Sequence, residues 1–150
     1  REPLLATIRS RCRRLRLNRL PRDEAGKVAG TDTALALRLA DGRPGLARRF
    51  ASEAALKAAR AADAVYDALP RPRAEDLSAL LAAGRDADAF EAAGAALLDR
   101  LADASAHAPE RAGAWLWVSR TLADARAANM DPSQTLAKLV TGLQKGAGAR

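Results

Sequence analysis

The richest chemistry in this 150-residue sequence lies in one short stretch, Ile8-Arg9-Ser10-Arg11-Cys12, which runs on into Arg13-Arg14-Leu15-Arg16-Leu17. A guanidinium is permanently charged and offers a planar fork of donors that matches phosphate oxygens. By residue type alone, the stretch is either a solvated basic tail or an arm whose Arg9, Arg13, Arg14 and Arg16 hold the phosphates of DNA or RNA. The charge is concentrated there. Residues 1–22 hold eight arginines against Glu2, a net of +7, while the other 128 residues hold 17 basic and 17 acidic side chains. The excess therefore belongs to one segment attached to a neutral body, rather than to a basic surface all round.

Other chemistries lack their residues. A phosphate-binding loop needs Gly-x-x-x-x-Gly-Lys-Ser/Thr, so that backbone amides can wrap the phosphates. Around Gly26-Lys27 the first glycine position is Pro21 and the hydroxyl position is Val28, so the pair reads as a helix end. One His and one Cys cannot build a typical structural zinc site, and Cys12 has no disulfide partner within the chain. No zinc and no other cofactor is expected in this chain. His107, ahead of Pro109, reads as a partly exposed structural histidine at a helix end. Asp86/Asp88 and Glu75/Asp76 read as helix starts, where acids favour the dipole. Nothing resembles a tuned acid–base pair, so the chain is not expected to be catalytic by itself. Trp115 falls on an apolar stripe and reads as core, whereas Trp117 points elsewhere, toward an interface.

The elements around these residues are helical. The sequence holds 39 Ala and 22 Leu against five aromatics, a composition that favours helices packed at small side chains. No apolar run approaches the roughly 18 residues of a membrane span, which fits a soluble, cytosol-compatible protein. A short helical turn is expected over 4–9. Alternation over 13–17 reads as a strand, yet nothing later in the chain pairs with it, so the sequence opens like the end of something larger. Helices are then expected from Pro21 to Gly30, from a cap at Thr31 or Asp32 to Ala40, and from Pro44. A long Ala-rich helix follows Ser52 and ends at Leu69, where Pro70 and Pro72 make an elbow or boundary. Further helices are expected over 74–83, 86–106, 109–128 and 132–144. Asp131-Pro132 with Gln134 is a strong start for the last. Three helices thus precede Ser52 and about five follow it, with a frayed tail over 145–150.

The stretch Leu4-Leu5-Ala6-Thr7-Ile8-Arg9-Ser10-Arg11-Cys12-Arg13 resembles the Ser-Arg-Cys segment of clamp-loader ATPases of the AAA+ class. Ala40-Asp41-Gly42-Arg43-Pro44-Gly45-Leu46-Ala47 resembles the start of that family's lid helix. Asn129-Met130-Asp131-Pro132-Ser133-Gln134 resembles the start of its final collar helix. The three landmarks stand in family order along nearly the whole chain. The resemblance implies an all-α C-terminal portion in three parts: a strand remnant of the ATPase core (1–18), a lid-like helical module (19–51) and a helical collar bundle (52–150). It implies that Arg11 is an arginine finger acting in trans on ATP held by a neighbouring subunit, with Ser10 and Cys12 as positioning residues. Such a finger is worth about 10³–10⁵ in rate in other NTPases. The implied partners are the motor and delta subunits of the loader through the collar, and the sliding clamp and primer-template DNA indirectly. The implied setting is the bacterial cytoplasm, with no membrane partner. Gly45 and Leu46 stand where ATP-hydrolysing relatives carry a further sensor arginine, which implies a subunit that does not hydrolyse ATP. A collar should also expose more apolar surface than the scattered residues of a monomer.

Overall fold

A computed structural model describes residues 18–109 and 112–146. Their regular structure is all helical, with no strand among the described residues. The short turn over 4–9 and the strand over 13–17 lie outside them.

Three short helices come first: α1 (Arg22–Ala29), α2 (Ala34–Ala40) and α3 (Pro44–Phe50). In α1, Asp23 and Glu24 sit in the first turn, and Gly30 ends the helix in the left-handed region at φ 69°. The start of α2 differs from the sequence expectation. Neither Thr31 nor Asp32 caps it; the helix begins at Ala34, and Thr31 Oγ1 instead accepts a hydrogen bond from the Thr33 N–H at 3.2 Å. Three polar residues in a row can each cap, and the local hydroxyl–backbone bond decided which was left outside. Asp41 and Gly42, at φ 49° and 71°, turn the chain into α3, which Pro44 opens.

Five helices follow: α4 (Glu53–Asp67), α5 (Ala74–Ala82), α6 (Ala87–His107), α7 (Ala112–Ala127) and α8 (Pro132–Gln144). Ser52 Oγ accepts from the Ala55 N–H at 3.3 Å at the start of α4, and Asp86 Oδ1 from the Ala89 N–H at 2.7 Å at the start of α6. α4 stops two residues earlier than expected, because Ala68–Pro70 form a turn ahead of the prolines. α5 ends at Ala82, and a single 3₁₀ turn (Ala83–Arg85) carries the chain to Asp86. Asn129 takes the left-handed position after α7, and the Met130 N–H closes back on the Ala125 carbonyl at 2.9 Å. Asp131 Oδ1 accepts from the Gln134 N–H at 2.7 Å, as the sequence predicts for the last helix.

Packing is tightest between α4 and α6. Their facing residues are small: Ala55, Ala58, Ala59 and Ala62 on α4, and Ala89, Ala92, Ala93 and Ala96 on α6, all essentially buried. Side chains of that size let helix axes approach at the short end of the usual range. Larger residues fill the space beyond this seam. Leu80, Leu97, Leu122, Leu136 and Leu139 are fully buried, and Phe90 joins them. One contiguous apolar cluster includes Ala36, Leu39, Ala47 and Phe50 of α2 and α3 as well as the residues of α4–α8. Backbones come close at two glycines. A Cβ on Gly84 would collide with Ser133 at the start of α8, whose Oγ donates to the Leu81 carbonyl at 3.1 Å. A Cβ on Gly142 would collide with the Trp117 ring, so Trp117 packs on α8 and does not reach outward as its sequence position suggested.

Candidate functional site

The residues singled out for chemistry by the sequence, Arg9, Ser10, Arg11, Cys12, Arg13, Arg14 and Arg16, lie outside the described residues. The described chain begins at Asn18, and its attachment is specific. The Leu20 N–H donates to the Gly42 carbonyl at 2.9 Å, and Arg19 pairs with Asp41. A Cβ on Gly42 would strike the Leu20 backbone, so glycine is needed there for close approach as well as for its positive φ. Arg19 and Leu20 are therefore held at the turn between α2 and α3.

The remaining sequence candidates take structural places. His107 is exposed in the last turn of α6, and its Nδ1 lies 2.9 Å from the Asp103 carbonyl. Asp86 is a cap, and Asp88, Glu75 and Asp76 occupy first turns. Trp115 is half-buried against the core. Among the described residues no group of three His, Cys, Asp or Glu side chains stands close enough to hold a metal ion, and no helix is long and apolar enough to cross a membrane.

A charged cluster that sequence reasoning missed joins α2 to α4 and α6. Arg38 of α2 reaches Asp63 of α4 at 3.4 Å and Asp99 of α6 at 2.9 Å. Arg100 of α6 lies 3.9 Å from Asp63, pairs with Asp67, and sits over the Tyr66 ring at 5.6 Å from its centroid. The cluster is about two-thirds buried: Arg38 is 34% exposed, Asp63 26% and Asp99 29%. Burial pushes the Asp63 carboxyl above the ordinary aspartate value. Arg38 and Arg100 pull it back down, and Asp99 adds to the upward push. The helix spacing Asp63-Tyr66-Asp67 was the available signal, since those residues share one face of α4.

A second, more exposed clamp repeats the arrangement from α3. Arg49 Nε donates to Asp88 Oδ1 at 2.7 Å, its Nη1 lies 3.2 Å from Glu91, and the Asp88 hydrogen bond is the main reason its pKa rises. Both clamps run from the three-helix segment to carboxylates of the long helices. Their geometry suits fastening, since each guanidinium is already engaged by two acids and presents no free fork to a ligand.

The described surface carries few large apolar groups. Val28 on α1, Leu116 on α7 and Met130 in the α7–α8 turn are exposed, each on a different element. The wide apolar face expected of a collar is thus absent among the described residues; alanines and charges cover the outward helix faces instead. Comparison with protein-family models, with curated proteins and with solved structures finds no match to this chain.

Proposed function

We propose that the chain is the C-terminal part of the delta-prime subunit of the bacterial DNA polymerase III clamp loader, a subunit that does not itself hydrolyse ATP. On this reading α1–α3 are the lid, α4–α8 are the collar that joins the subunits into a ring, and in the full protein Arg11 is offered in trans to ATP on a neighbouring motor subunit during clamp loading. Ser10 and Cys12 hold that arginine in place. The observation that supports the reading is the order of elements against the two landmark segments that fall within the described residues. Ala40–Ala47 spans the αL turn and the Pro44 start of α3, and Asn129–Gln134 spans the αL turn and the capped start of α8. Both are helix junctions, and α4–α7 lie between them. The described surface counts against the collar part of the reading, since its exposed large apolar residues are the scattered Val28, Leu116 and Met130.

Light scattering coupled to size-exclusion chromatography tests the reading. The chain mixed with the motor and delta subunits of the same source is expected to elute in their complex. Elution at its own mass, beside motor subunits that assemble with each other, would overturn the assembly role. In the whole subunit, Arg11→Ala is expected to depress ATP turnover at the adjoining motor site without dissociating the ring.

A second reading, a helical nucleic-acid-binding protein with an Arg-rich N-terminal arm, is favoured by the +7 net charge of residues 1–22. Five phosphates neutralised on duplex DNA would give a log–log salt slope of roughly −4 to −5. Deleting residues 1–19 must then abolish most of that slope.

A further inference from the structure

The body that is neutral in sum is not neutral everywhere. Two adjoining open depressions meet at Ala51. One, between the ends of α1 and α3, is lined by Lys27 and Arg48 with the Thr31, Thr33 and Ser52 positions between them. The other runs along the start of α4 and is lined by Lys57 and Arg60. All four cations are exposed, and none forms an ion pair among the described residues. Arg38, Arg49 and Arg100, by contrast, are each engaged by two carboxylates. Glu53 is the one carboxylate that lines either depression; Asp23 and Asp32 line a third depression that adjoins the first at Lys27, Gly30 and Thr31.

We propose that Lys27, Arg48, Lys57 and Arg60 form a basic ridge that holds the phosphate backbone of duplex DNA. Its shape argues for a polyanion over a folded protein partner. Protein interfaces centre on buried aromatic or aliphatic anchors in well-packed pockets. Neither depression has an aromatic wall, both are open, and the exposed Val28 stands alone at one rim. Lys57 and Arg60, three residues apart on α4, are neighbours along one helix face, and Lys27 and Arg48 line the adjoining depression, which shares Ala51 with theirs. Four unpaired cations spread over two adjoining open depressions suit an extended polyanion, and duplex DNA carries one charge per about 1.7 Å of its axis. Contacts of this kind position a duplex without reading its sequence. The ridge is independent of the subunit assignment above, because it rests on the described surface and not on Arg11.

The test separates the ridge from the N-terminal arm. In the full chain, Arg9, Arg11, Arg13, Arg14 and Arg16 are all changed to Gln, and binding to a labelled duplex of random sequence is followed by fluorescence anisotropy across salt. Four ridge contacts give an expected log–log slope of about −3.6, or roughly a 100-fold loss of affinity between about 50 and 200 mM salt. Adding Lys27→Gln, Arg48→Gln, Lys57→Gln and Arg60→Gln, with the melting curve unchanged, is expected to remove that binding. The four are surface side chains, and a partial set (Lys57→Gln with Arg60→Gln) serves if the full set melts early, with an expected slope change of about 1.8. No duplex binding by the arm-neutralised chain at about 50 mM salt, or a slope that ignores the ridge changes, would overturn the proposal. So would equal binding to poly-glutamate-blocked and unblocked protein, since a phosphate ridge must be competed by a polyanion.

Discussion

The five helices α4–α8 and the three helices α1–α3 are held by different means, although one apolar cluster touches both. Inside the five-helix part the contacts are mainly apolar: Leu97, Leu122, Leu136 and Leu139 are fully buried in one cluster with alanines and Val118, and Arg100 adds ion pairs from α6 to Asp63 and Asp67 of α4. Where α2 and α3 meet the long helices, small apolar residues are joined by two arginine clamps, Arg38 on Asp63 and Asp99 and Arg49 on Asp88 and Glu91. Apolar packing is tolerant of sliding and rotation, since it asks only for volume and shape. A guanidinium held by two carboxylates, from α4 and α6 for Arg38 and from neighbouring turns of α6 for Arg49, has far fewer acceptable positions. The difference teaches that the long helices supply most of the cohesion, while the clamps fix how the short helices sit on them.

The strongest way to break this contrast is Leu97→Ala. Leu97 is fully buried, so the loss is expected to be about 3 kcal/mol, within the 2–5 kcal/mol range of such truncations, and to lower the urea midpoint of the entire chain. A midpoint moved by less than a third of that would show that the leucine layer is not the main source of cohesion.

Arg38→Met ranks next. It leaves Asp63 and Asp99 facing each other with only Arg100 nearby, and is expected to cost about 1–2 kcal/mol at neutral pH, less than a fully buried pair because the cluster is partly wet. The pH dependence carries the sign. Asp63 already holds its proton more tightly in the folded chain than its ordinary value, and losing Arg38 raises that pKa further. A raised carboxyl pKa means the folded state binds more protons, so the variant gains stability relative to the parent as pH falls through the Asp63 pKa. Urea melts at pH 7 and near pH 4 should therefore show the penalty shrinking with acid; a constant or growing penalty would locate the effect elsewhere.

Arg49→Gln sharpens the comparison from the other side. Its clamp is geometrically similar, but the arginine is 42% exposed and Asp88 36%, so a loss of no more than about 1 kcal/mol is expected, and it should fade in high salt. Equal effects from Arg38 and Arg49 would mean that burial is not what separates the two clamps.

Much of the helical skeleton was legible from residue chemistry. Pro132 after Asp131, Asn129 after α7 and Ser52 before α4 each act through a local bond, and the structure uses all three as read. The start of α2 was less so, because Thr31, Asp32 and Thr33 compete on equal local terms. The charged cluster was legible only as the shared face of Asp63, Tyr66 and Asp67 on α4. Arg38 meets Asp63 across 25 residues, and nothing in a local window says which of many aspartates an arginine will find. Trp117 was misread on similar grounds, since its helix face alone does not reveal that Gly142 leaves a flat place for the ring. For the candidate site the sequence spoke most clearly over Arg9–Arg16, which lie outside the described residues.

The alanine seam between α4 and α6 also bears on how this protein can change over generations. At Ala58, Ala62, Ala92 or Ala96 every substitution but glycine adds atoms, and glycine lowers helix propensity by about 1 kcal/mol. A seam of leucines can drift through isoleucine, methionine or valine by trading volume between neighbours. One made of alanine has no smaller helix-forming alternative to trade with, so its positions are expected to accept almost no change in a saturation library, while the leucine layer a few ångströms away tolerates several.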